Sequence, residues 1–211
     1  MYDSLNHFPL RKINFVKTRT TILKAISQLL KEKNFSDITV DEICQKVQIS
    51  RGTFFNYFST KEHVFHYFLR IYTIKLSLKI EKWDKNMSFE SKIQQLYKWF
   101  NEEEDYPKFL DSYISFLLNI GEEENEMKLT DAEFVFFFDN IKEEDYAKYN
   151  SLTFQKIFED ICEEAKAKGE IKQDLSKEEL GNLLSGVFVS SYLTDHLNPN
   201  INHLNIFSTI L

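Results

Sequence analysis

Arg51, Thr53, Phe55 and Asn56 fall within six residues, on the outward side of a short stretch whose inward positions are Phe54 and Phe58. Together these side chains suit one task. An arginine fork donates to O6 and N7 of guanine, an asparagine pairs with adenine, and a threonine or an apolar ring meets a thymine methyl. Thr39, Ser50, Tyr57 and Lys61 flank them with hydroxyl and ammonium groups placed for phosphates, beside two helix N-termini that favour anions. Only four of the 26 basic residues are arginine: Arg11, Arg19, Arg51 and Arg70. One of them stands on this outward face of a lysine-dominated chain, so the forked donor geometry is what that position requires.

The elements that must hold these residues are legible from their end signals. Thr39-Val40-Asp41-Glu42 spells a capping box, and Val40, Ile43, Cys44 and Val47 form the apolar stripe of a helix ending at Gln48. Ser50 caps the next helix, with Ile49 and Phe54 spaced as a hydrophobic staple. Ser59-Thr60-Lys61-Glu62 is a second capping box, expected to open a fourth helix running to about Trp83. Two short helices joined by a tight turn, the second one capped, make a helix-turn-helix over about 39–58. A first helix is expected from about Phe15 to Lys33, on the stripe Ile22, Ala25, Ile26, Leu29 and Leu30, with Asn34 as a left-handed C-terminal cap. The organisation expected is a flexible arm at 1–14, a DNA-binding domain at 15–62 and a helical body at 63–211.

Composition supports an all-α chain. Five Gly and three Pro in 211 residues leave little material for loops, and apolar residues recur at three- and four-residue spacing. The net charge of −7 is unevenly spread. Residues 1–61 hold ten Lys and Arg against five Asp and Glu, a net of +5, while the remainder nets −12. A basic first third on an acidic body fits a module that reads DNA attached to one that does not. No apolar run is long enough to span a membrane, and the N-terminus has no apolar run of signal-peptide length. Cys44 and Cys162 fall on apolar stripes, as small buried hydrophobes of a reducing cytoplasm do. His63 and His66, one turn apart, are the only histidines near ligand spacing. No phosphate loop, nucleophile elbow or cysteine-pair site is present. These features argue against an enzyme, a metal site and a cofactor.

The body reads as further helices: Phe89–Glu103, Pro107–Ile120, Thr130–Tyr149, Leu152–Lys168 ending at Gly169, and Ser176–Leu197 opened by the capping box Ser176-Lys177-Glu178-Glu179. With a short helix in the tail, this makes about nine to ten in all. Trp99, Phe100, Tyr113, Phe116, Phe134 and Phe137 are candidates to line a pocket for a small apolar or aromatic ligand. Phe158, Ile161, Leu180, Leu183, Leu184, Val187, Phe188 and Ser191 stripe the last two long helices, and a second copy of the chain is expected to bury them.

Residues 22–65 resemble the DNA-binding domain of TetR-family transcriptional regulators, most specifically in SRGTFFNYFSTKE at 50–62. Residues 165–186 are similar to the join between that family's last two helices. The resemblance implies a homodimer placing one recognition helix in each half of a palindromic operator. It further implies a small-molecule effector bound in the C-terminal domain and, by default, repression. Carried over by position, Thr39, Ser50, Arg51, Gly52, Thr53, Phe55, Asn56, Tyr57 and Lys61 are the DNA contacts. Two positions depart from the family pattern: Phe55 replaces a tyrosine and Gln48 a common glycine, the latter costing about 1 kcal/mol if left-handed. The alternative is a DNA-binding regulator or architectural protein with no small-molecule effector, controlled by a protein partner.

Overall fold

The computed structural model describes the backbone of residues 5–102 and 127–197 and the side chains of 5–99 and 127–190. Among the described residues the chain is all-helical: α1 (Leu10–Leu29), α2 (Val40–Val47), α3 (Arg51–Phe55), α4 (His63–Ile80), α5 (Phe89–Glu102), α6 (Asp131–Phe137), α7 (Tyr146–Asn150), α8 (Phe154–Ala167) and α9 (Lys177–Leu197), with 3-10 turns at Phe35–Asp37 and Glu143–Asp145. The helix expected at Pro107–Ile120, the tail after Leu197, and the side chains of Phe100, Tyr113, Phe116 and Ser191 lie outside the described residues. The described chain forms two compact units, 5–74 with 127–151 and 75–102 with 152–197, and the division falls inside α4.

The first unit is built on aromatic packing behind the helix-turn-helix. Phe54 and Phe58 are fully buried, and Phe58 meets Tyr67 edge-on at 5.6 Å, as Phe35 meets Phe65 at 4.2 Å. Each such ring contributes about 1.5–3 kcal/mol by leaving water. α1 begins five residues before the expected Phe15, directly after Pro9. Residues 10–14 are therefore helical, and a flexible arm over 1–14 does not describe them. The reason is apolar contact: Leu5 and Val16 are buried with Ala132, and Phe8, Ile13, Val135 and Phe136 pack around them. α1 ends at Leu29, and Asn34 takes an extended conformation (φ −70°, ψ 154°) ahead of the 3-10 turn, not the left-handed cap expected of it.

The helix expected at Thr130–Tyr149 is broken. Thr130 opens α6 with a capping box to Glu133, and the helix stops at Phe137, with Phe138 at φ −144°. The break lets the chain fold back so that Tyr146 stacks on Phe134, centroids 4.1 Å apart and planes within 6°. That contact outweighs helix continuity, which Asp139 and Asn140 support poorly. The segment is held to α1 by two ion pairs, Lys12–Asp131 at 2.6 Å and Arg19–Glu133 at 3.0 Å. Residues 127–151 fall in one compact unit with the N-terminal helices, a grouping that the expected division at residue 62 does not contain.

In the second unit α8 and α9 pack along their apolar stripes. Thr153 caps α8 and Gly169, at φ 72°, ends it, while Ser176 and Glu179 form the capping box of α9. The helices approach so closely at Gly181 that a Cβ there would meet Glu159 Cγ at 2.7 Å. Phe158 and Phe188 stack at 5.3 Å. Phe158, Ile161, Leu180, Leu184, Val187 and Phe188 are thus buried within one chain, and Leu183 is half-buried. Most of these stripe residues are therefore already covered within one chain. α5 docks on the pair through Lys92, whose Nζ lies 2.5 Å from Glu164 Oε2.

Candidate nucleic-acid interface

The helix-turn-helix is set by three local devices. Thr39 Oγ1 accepts from the Glu42 amide at 3.2 Å, and Glu42 Oε2 accepts from the Thr39 amide at 2.8 Å, completing the capping box of α2. Gln48 adopts a left-handed conformation (φ 60°, ψ 47°) that turns the chain, and the Ile49 amide donates to Cys44 O at 3.0 Å. Ser50 Oγ then accepts from the Thr53 amide at 3.0 Å and starts α3. At one point the expected pattern shifts: α4 begins at His63, whose amide donates to Thr60 Oγ1 at 3.3 Å, so Ser59 is not its cap.

The base-reading candidates stand as the spacing predicts. Phe54 and Phe58 point into the core, while Arg51, Phe55 and Asn56 are exposed and Thr53 half-exposed. Phe55 is 44% exposed, one of few large apolar side chains left in water among the described residues. Gly52 is exposed too, with only Ser50 Oγ near an added Cβ, at 3.8 Å. Tyr57 is half-buried, its ring 5.2 Å from Phe15 of α1.

The phosphate candidates are arranged differently. The Thr39 hydroxyl donates to Glu42 Oε2 at 3.0 Å, and the Ser50 hydroxyl lies 2.8 Å from that of Thr53. Lys61 Nζ donates to Phe35 O at 2.8 Å, Ile38 O at 2.7 Å and Ser36 O at 3.4 Å, and sits 4.3 Å from the Phe35 ring centroid. All three ammonium protons are thereby used to tie the α1–α2 connection to the start of α4. Desolvation lowers the Lys61 pKa, as it does for an amine withdrawn from water. Lys61 is in this geometry a clamp within the fold, not an outstretched phosphate donor. What α2 and α3 offer a phosphate directly is the free amides and dipole of their N-termini.

Three charged features escaped the sequence reading. Arg51 Nη1 lies 2.9 Å from both carboxylate oxygens of Asp41, on α2. Lys33 Nζ bonds to Glu42 Oε1, and with the Thr39 bonds it lowers the Glu42 pKa to about 2. Arg19 is buried against Glu133, its guanidinium 3.9 Å from the Tyr67 ring and 5.0 Å from that of Phe58. Burial, then the Glu133 charge, drives the Tyr67 pKa well up. Arg19 had a signal: it lies three residues before Ile22 and seven before Ile26, on the apolar stripe. A charge there requires a partner.

The candidate pocket residues divide between the units. Trp99 is buried in α5, while Phe134 is buried against Tyr146 and Phe137 is half-buried, both in the first unit. A cleft of about 310 Å³ lined by Arg11, Lys12, Phe15, Thr130 and Asp131 contains none of them. Cys44 and Cys162 are free and buried, and burial raises both thiols, Cys162 to about 12. Among the described residues no cluster of His, Cys, Asp and Glu could hold a metal, and no helix is long and apolar enough to cross a membrane.

Residues 22–68 match the family model of bacterial regulatory proteins of the tetR family. A search of curated proteins gives no match. Among solved structures, a TetR/AcrR family member superposes with TM-score 0.52 at 16% identity, covering 89% of this chain and 92% of its own. E. coli NemR, reduced form, gives 0.54 at 11%, covering 89% and 92%. NalD of Pseudomonas aeruginosa, the secondary repressor of the MexAB-OprM multidrug efflux pump, gives 0.52 at 15%, covering 90% of each chain.

Proposed function

From the premise that this chain belongs to the TetR family and is a DNA-binding transcriptional regulator, we propose that it acts as a homodimeric repressor on a palindromic operator. Each protomer sets α3 in the major groove. Arg51 reads guanine, Asn56 adenine, and Phe55 and Thr53 a thymine methyl. The observation that carries this is the exposed set Arg51, Phe55 and Asn56 on a capped helix backed by Phe54 and Phe58. Repression draws on the likeness to NalD, itself a repressor.

The dimer forms through α8 and α9, whose inward stripes are already spent on each other. Pairing therefore uses the outward face of α9, where Asn182, Gly186, Val189 and Ser190 are exposed at helical spacing. A small apolar or aromatic effector, bound in the C-terminal domain, favours a conformation in which the two recognition helices are wrongly spaced. Operator and effector then weaken each other's binding by the same factor. α4 serves as the lever, since the division between the units falls within it.

Selection of bound sites from random DNA with purified full-length protein tests the reading. An inverted repeat with half-sites about 34–36 Å apart, or a multiple of that, is expected. Light scattering is expected to show a dimer at micromolar concentration. No enrichment, or a single unrepeated half-site bound by a monomer, overturns it. Operator affinity unchanged across a saturating panel of apolar and aromatic compounds would leave control by a protein partner instead.

A further inference from the structure

Arg51 does not stand alone on the DNA-facing surface. Both carboxylate oxygens of Asp41 lie 2.9 Å from its Nη1, and none reaches Nη2 or Nε. A guanidinium has two forks, and this arrangement takes one corner of it. The Nη2–Nε edge is left with no protein partner among the described residues. That edge presents two parallel N–H donors, the pattern that matches O6 and N7 of guanine. We infer that Asp41 is a specificity-determining residue: it holds Arg51 by Nη1 so that the opposite edge faces the groove as a preset fork. The inference rests on the base-reading role of Arg51.

The local fold supports a preset arrangement. Asp41 lies in the first turn of α2 and Arg51 in the first turn of α3. Both helix starts are fixed by side-chain caps, and the turn between them by the left-handed Gln48. The separation of the two backbone positions is therefore set by helix ends and a fixed turn. Both groups are well exposed, 60% for Arg51 and 67% for Asp41, so in free solution the pair contributes little to stability. Once DNA displaces water from the surface, the local dielectric falls and the same pair orients the arginine more strongly. An arginine without this partner must lose rotamer freedom on binding and can turn its charge to a phosphate instead.

The test is a binding-site selection with four proteins: the wild type, R51A, D41A and the double variant. R51A is expected to lower the preference for guanine at one base pair of each half-site by about tenfold or more. D41A is expected to lower the preference at the same base pair by about three- to tenfold, while its affinity for non-specific DNA holds or rises because a negative charge near the phosphates is gone. In the R51A background D41A should change the base preference no further, and D41E should restore part of the preference lost in D41A. Circular dichroism melts of all variants exclude unfolding as the cause. If R51A leaves the preference intact, Arg51 is not a base reader. If R51A abolishes the preference but D41A leaves it within twofold or raises it, or the losses add in the double variant, Asp41 does not position Arg51.

Discussion

Among the described residues Arg19 and Arg51 each form an ion pair with a carboxylate, and the two pairs occupy opposite environments. Arg19 and Glu133 are 3% and 0% exposed, joined across 114 residues of sequence. Arg51 and Asp41 are 60% and 67% exposed and ten residues apart. The same chemistry therefore serves two ends. Buried charges that have left water are fixed in place, because separating them strands an unsolvated ion. The exposed pair leaves the Nη2–Nε edge of Arg51 in water while Asp41 takes Nη1. The first pair belongs to the packing of 127–151 on α1, and the second, in the function proposed above, to recognition.

The largest effect should come from breaking the buried pair on one side only. Arg19→Ala or Glu133→Ala is expected to cost about 3–5 kcal/mol in urea denaturation, since each leaves its partner buried and unpaired. Glu133→Ala also removes the capping box of α6, whose Thr130 amide donates to Glu133 Oε2 at 2.8 Å. Replacing both partners with apolar residues of similar size should recover most of the loss. A single-variant cost below about 1 kcal/mol would erase the distinction drawn between the two pairs.

Lys61 falls between these extremes. Removing an ammonium that satisfies the carbonyls of Phe35, Ser36 and Ile38 is expected to cost about 1–3 kcal/mol. Its effect on DNA binding should follow the melting of the helix-turn-helix, with the slope of log affinity against log salt preserved. A stable Lys61→Ala protein with a slope reduced by about one would return Lys61 to the phosphates.

How far the sequence revealed these arrangements depends on the range of the forces involved. Capping boxes act over three residues, so Thr39–Glu42 and Ser176–Glu179 were visible in the chain, as was the Ser50 cap. The alternation of Phe54 and Phe58 with Arg51, Phe55 and Asn56 is equally local, and the structure keeps it. Arg19 could be seen to need a partner, but nothing in the sequence pointed to Glu133, because tertiary packing chose it. The break in the 130–149 segment has the same origin: the Phe134–Tyr146 stack forms only after the chain has turned back. The bonds of Lys61 to the carbonyls of Phe35, Ser36 and Ile38 were not visible in the sequence, because backbone partners leave no mark on residue identity.

Smaller again is the capping box itself. Thr39→Ala is expected to cost about 1 kcal/mol of stability. Glu42 adds a pH signature. Its folded pKa, lowered to about 2 by Lys33 first and the Thr39 bonds next, lies below its ordinary value of 4.5. The stabilisation is therefore present above pH 4.5 and is lost as pH falls towards 2. Melting of Glu42→Gln compared with the parent should show a gap near neutrality that closes over this window. A gap that stays constant down to pH 2 would mean that the Lys33 and Thr39 bonds do not govern Glu42.

Smallest of all should be the stability cost of Arg51→Ala, within about 0.5 kcal/mol, since its pair is solvated on both sides. Its effect on recognition is instead expected at about 1–3 kcal/mol, confined to one base pair of each half-site. The ratio of the two effects is what separates the regions. For Arg19 the whole cost falls on folding, and for Arg51 nearly all of it falls on DNA. Urea titration of Arg51→Ala beside its binding-site selection measures both quantities on one protein. A loss of more than about 2 kcal/mol in folding would show that the Asp41–Arg51 contact braces α2 against α3, as Arg19 braces α1 against α6.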